Sequence, residues 1–112
     1  MNPILSLRLV QKLGGYQVRH TVGTPGKYSS AVRSSAIRSS DQLYQSARAL
    51  HTEFDSRIPI AQLRGTCEQL AASWSACAVD LQQLKRSDRS RLQPITEPIA
   101  LGMVELQNLL AL

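Results

Sequence analysis

From Ile60 onward the apolar residues of this chain recur at the spacing of a helix packed along a narrow seam. Ile60, Leu63, Cys67, Leu70, Trp74, Cys77, Leu81 and Leu84 are separated by three, four, three and four residues throughout. A strand would alternate every second residue, so this unbroken run predicts one long helix over about 57–86 with a coiled-coil-like stripe. Ala71, Ala72 and Ala78 lie beside the stripe and let a neighbouring helix approach closely. Ser56 is the candidate N-cap, and Pro59 falls in the first turn, where its missing N–H removes nothing. Gly65 weakens the helix by about 1 kcal/mol relative to Ala.

The polar run from Lys85 to Arg91, KRSDRSR, interrupts the pattern and predicts a turn centred near Asp88. Beyond it Leu92, Ile95, Ile99, Gly102, Leu106 and Leu109 resume the spacing, flanked by Met103, Val104 and Leu110. Pro94 and Pro98 would each remove a hydrogen bond from a helix interior, so the last regular helix is placed over about 97–111 with Thr96 as its cap. Folding the chain at Asp88 pairs Leu84 with Leu92, Leu81 with Ile95, Cys77 with Ile99, Trp74 with Gly102, Leu70 with Leu106 and Cys67 with Leu109. The residue numbers of every pair add to one value, as an antiparallel hairpin in a single register requires. The Trp74 indole opposite Gly102 would fill a layer by large-to-small complementarity. An earlier helix, about 41–54, carries Leu43, Ala47, Leu50 and Phe54, with Ser39 or Ser40 as cap and Gln42 completing a capping box. The expected fold is all-α: a small three-helix bundle over 41–112 built on a long antiparallel helical hairpin.

Charge separates that body from what precedes it. Residues 1–40 contain Arg8, Lys12, Arg19, Lys27, Arg33 and Arg38 and no Asp or Glu, a net of +6. Residues 41–112 set seven basic against eight acidic side chains, a net of −1. The expectation is a flexible, partly disordered, Ser-rich basic arm on a near-neutral body. Leu5, Leu9 and Leu13 with Arg8 and Lys12 suggest an amphipathic helix ended by Gly14 and Gly15; Leu5, Leu7 and Leu9 before the glycines and Val18, His20 and Val22 after them equally suggest a hairpin. Val22 to Ser30 reads as a linker, and the duplicated AVRSS and AIRSS could extend the first bundle helix backward. An acid-free, Arg- and Ser-bearing start also resembles a mitochondrial targeting segment, which would place the protein in mitochondria for a eukaryotic source and in the cytoplasm for a bacterial one. No apolar run approaches the roughly 18 residues of a membrane-spanning helix.

The inventory for chemistry is thin. Cys67 and Cys77, ten residues apart on one helix, would sit about 15 Å apart and cannot bridge each other. They are expected to be buried free thiols, which fits a reducing compartment. No CxxC or HxxxH spacing accompanies His20 or His51, and Glu53 with Asp55 reads as capping charge at a helix junction. Gly14–Gly15 and Gly23 to Gly26 lack the Lys-Ser/Thr that completes a phosphate loop. No catalytic residue, metal or cofactor is therefore assigned, and the expected role is a non-enzymatic helical interaction or assembly module. The apolar terminus Leu109, Leu110, Ala111, Leu112 calls for cover by a protein partner or a homo-oligomer. Two alternatives stand beside it. One is a nucleic-acid-associated protein using the arm with Lys85, Arg86, Arg89 and Arg91 as phosphate contacts; the other is an organelle-imported helical protein.

Overall fold

Ser29 closes the Gly- and Pro-bearing linker and starts a helix, its hydroxyl accepting a hydrogen bond from the Val32 amide at 3.2 Å. In the computed structural model, which describes residues 6–109, that helix is α3, Ser30–Asp55. It is preceded by α1, Leu7–Lys12, a π-helical segment, Leu13–Gln17, and α2, Val18–Val22, and followed by α4, Ile60–Gln82, and α5, Arg86–Leu109. Leu5 and the apolar terminus Leu110, Ala111 and Leu112 lie outside the described residues, as do the side chains of Ile60 and Leu109.

The first three segments form one continuous N-terminal rod, which corrects both the arm and the hairpin. Its reason lies in the backbone around Gly14 and Gly15. The Val18 N–H reaches the Leu13 carbonyl, five residues back, so the π turn carries Leu13 and Val18 onto the same face. In an α-helix that five-residue step would turn Val18 well away from Leu13. Val10, Leu13, Val18 and Val22 consequently line one side of the rod and have no exposed surface. Among the described residues the fold is all-α, as expected, with four helical rods: the N-terminal one adds to the three that the pattern over 41–112 suggested, and residue 40 lies inside α3.

Packing on α3 explains the other boundaries. Ser39 and Ser40 are buried mid-helix, where their hydroxyls donate back to the carbonyls of Ala36 (3.3 Å) and Ile37 (3.0 Å) instead of capping a terminus. Gly14 crosses α3 so closely that an added Cβ would lie 3.0 Å from the Ser40 carbonyl oxygen. Ser56 ends α3 rather than starting α4. Arg57 follows at φ 55°, donating to the Phe54 carbonyl while Ile58 donates to that of Glu53, the paired bonds of a Schellman ending. Pro59 then stands at the N-cap of α4.

α4 and α5 are antiparallel neighbours across a short connection, as expected, but the most closely packed antiparallel pair is α3 with α4. Ser35 donates to Asp80 at 2.9 Å near one end, and the hydroxyls of Ser46 and Ser73 meet at 3.0 Å further along. Ser35, Ser39 and Ser46 are the small residues that α3 presents to α4. From α4, Leu63, Cys67, Leu70, Cys77 and Leu81 are buried, and Leu84 is buried in the connection that follows.

That connection is only Gln83–Leu84–Lys85, so the turn centred on Asp88 is also corrected: residues 86–91 are helical, with Asp88 in the first turn of α5. Pro94 and Pro98 lie inside α5, and Thr96 bonds back to Gln93 instead of capping. Both prolines are exposed and four residues apart, so they share the outer face of the helix. The carbonyls they leave without amide partners face water there. Leu92, Ile95, Ile99, Met103 and Leu106 point inward. The N-terminal rod packs on α3 and α5, and α4 packs on the same two, giving an up-down-up-down bundle 48 Å long and 21 × 20 Å across.

Candidate functional site

The linker between α2 and α3 and the connection between α4 and α5 lie at the same end of the bundle, and they meet at Asp88. Its side chain has no exposed surface. Lys27 Nζ stands 2.9 Å from Oδ1 and 2.8 Å from Oδ2, Arg91 donates to Oδ1 at 3.1 Å, and the Tyr28 hydroxyl donates to Oδ2. Tyr28 in turn accepts from the Lys85 amide at 2.9 Å. Burial alone would push the Asp88 carboxyl up, but the bonds from Lys27 and Tyr28 and the charges of Lys27 and Arg91 outweigh it and hold it below the ordinary value. The Tyr28 phenol is raised, by its own burial first and then by its bond to that carboxylate.

Of the sequence-derived phosphate contacts, Lys85, Arg86 and Arg89 are exposed, whereas Arg91 is partly occupied by Asp88. Lys27 joins them from the linker, a residue that local pattern could not place beside Asp88. The one available signal was that Asp88 is the only acid in KRSDRSR.

A second feature lies between α4 and α5, which pack less closely than α3 and α4. It is an open groove with room for about 310 Å³, lined by Trp74, Ala78, Leu81 and Gln82 from α4 and by Arg89, Leu92, Gln93, Thr96, Glu97 and Ala100 from α5. Trp74 is half-buried, packs against the core and forms a wall of this groove. Further along α5, Leu101 and Val104 are 60% and 53% exposed.

The remaining candidates are dispersed. Cys67 and Cys77 are buried and unbridged, and burial, assisted by the charges of Glu53 and Asp80 respectively, pushes each thiol up to about 11. Both are therefore protonated near neutral pH and poor nucleophiles. His20 stacks on Tyr16 with 6.1 Å between ring centroids, on the exposed side of the N-terminal rod, and His51 is half-buried on α3. Among the described residues no group of three or more His, Cys, Asp or Glu side chains is placed to hold a metal ion, and no helix is long and apolar enough to cross a membrane. Compared with protein-family profiles, with curated proteins and with solved structures, the chain matches none.

Proposed function

We propose that the protein is a non-enzymatic helical assembly module that pairs with a second copy of itself through the α4–α5 groove. The observation that carries this reading is the placement of Arg89 and Glu97, which both line the groove and stand eight residues apart on α5. A two-fold axis passing near Gln93 brings Arg89 of each copy opposite Glu97 of the other, so a single surface satisfies itself twice, as an isologous interface must. Covering the half-buried Trp74 and Ala78 supplies the apolar driving force, and the rim charges set the register. Leu101 and Val104 extend the apolar strip along the same helix. The non-enzymatic part rests on the protonated thiols and on Asp88 being held by three donors, which leaves neither as an available nucleophile or base.

Sedimentation equilibrium from about 1 μM to about 1 mM should show the mass rising from monomer to dimer, with Trp74 emission shifting to the blue as its wall is covered. Glu97→Arg should weaken pairing by about tenfold, equivalent to about 1.4 kcal/mol, and Arg89→Glu added to it should restore pairing. A mass that stays monomeric to the highest concentration overturns the reading, as does a double swap no better than the single one.

A further inference from the structure

Folding concentrates charge at one end of the bundle in a way that chain order does not show. The pole formed by the linker, the first turn of α3, the last turn of α4 and the start of α5 holds Lys27, Arg33, Lys85, Arg86, Arg89 and Arg91 against Asp80 and Asp88, a net of +4. Asp88 is engaged inside the protein by Lys27, Tyr28 and Arg91, whereas Asp80 is half-buried and accepts a hydrogen bond from Ser35. Lys27 and Arg91 are spent on Asp88, and Arg89 borders the groove. Arg33, half-buried, and Lys85 and Arg86, both exposed, remain to face a partner. At the opposite end the described cations Arg8, Arg48, Arg57 and Arg64 are balanced by Glu53, Asp55, Glu68 and Glu105.

We propose that this basic pole binds the phosphate backbone of duplex nucleic acid without reading its sequence, through Arg33, Lys85 and Arg86. The polymer is favoured over a lipid surface by what the pole lacks. Leu84 is buried, and the exposed residues around it, Gly23, Thr24, Pro25, Gly26, Gln83, Ser87 and Ser90, include no aromatic or leucine-sized side chain; Val79 in the last turn of α4 is a lone exposed aliphatic residue, too little to anchor in a bilayer. Hydroxyl and backbone N–H groups of that kind are the usual companions of Arg and Lys at phosphates. The cross-section of 21 × 20 Å is wide enough to reach phosphates on both sides of a groove about 12 Å across.

The test is fluorescence anisotropy with a labelled DNA duplex and an RNA duplex of arbitrary sequence, on the full chain. Three phosphate contacts predict a slope of log K against log salt of about −2.7, hence an affinity loss of about 40-fold between 50 and 200 mM salt. Lys85→Gln with Arg86→Gln should bring the slope to about −0.9 while leaving helicity by circular dichroism unchanged. Binding of either duplex with that slope change supports the proposal. No binding at about 50 mM salt overturns it, as does a slope that the double variant leaves untouched. Retention by vesicles containing phosphatidylserine without retention by either duplex also overturns it, in favour of a lipid partner.

Discussion

A carboxylate with no exposed surface is stable only where its charge is answered, and Asp88 shows both sides of that balance. Lys27, only 24% exposed along its side chain, supplies most of the answer, and Tyr28 holds the second oxygen. Removing the charge leaves Lys27 partly buried beside a neutral group, so Asp88→Asn should lower stability at neutral pH by about 1–3 kcal/mol. The pH dependence follows from the direction of the shift. With a folded pKa below the ordinary 3.8, the carboxyl contributes stability above that value and loses it as pH falls through the folded pKa. Urea midpoints measured from pH 7 downward should therefore show the gap between wild type and Asp88→Asn narrowing below about pH 4. A gap that stays constant across that range would mean the carboxylate is not what Lys27 and Tyr28 stabilise.

At the scale of the element, two glycines separate intrinsic helix preference from packing. Gly65 lies in α4 with nothing within 4 Å of the place a Cβ would occupy, so Gly65→Ala should stabilise by about 1 kcal/mol. At Gly14 the same Cβ meets Ser40 backbone atoms at 3.0 and 3.2 Å, and helix backbone cannot yield as a flexible side chain would. Gly14→Ala should destabilise despite the same gain in propensity, by about 1–3 kcal/mol as overpacking does, and thermal melts of the two variants should move in opposite directions. Equal upward shifts would show that the N-terminal rod is not seated on α3. The pair also marks what could be read from pattern. Apart from the half-buried Trp74, the three–four spacing of the described side chains from Leu63 to Leu84 coincides with the buried face, and Leu43, Ala47 and Leu50 do the same in α3. Val10, Leu13, Val18 and Val22 are spaced three, five and four, which matches neither a helix nor a strand, because a π turn takes up the extra residue. The start of α5 was hidden for another reason. Pro94 and Pro98 are read as breakers, yet on an exposed face water satisfies the carbonyls they free. Likewise Tyr28 and Asp88 are 60 residues apart, and no local spacing announces a tertiary bond.

For the whole molecule, the decisive question is whether the first 29 residues belong to the body. A segment built only for targeting would be dispensable once removed, and the composition of residues 1–40 fits that role. The bundle assigns it another. Val10, Leu13, Val18 and Val22 are each fully buried in the one core that all four rods share. At about 1.5–3 kcal/mol for each buried side chain, their gross contribution rivals the net stability of a small domain. Removing the rod would also expose the faces of α3 and α5 on which it packs, and would deprive Asp88 of Lys27 and Tyr28. A cut between Ser30 and Asp41 would in addition divide α3, which supplies most of the close packing on α4. A chain beginning at Ser30 should therefore keep much of its helical circular dichroism but lose its cooperative thermal transition, bind a hydrophobic dye and show Trp74 emission shifted to the red. The full chain should melt in one step under the same conditions. If the shortened chain melts as sharply and at the same temperature, α3, α4 and α5 form a self-sufficient bundle, and the N-terminal rod is an appendage lying on it.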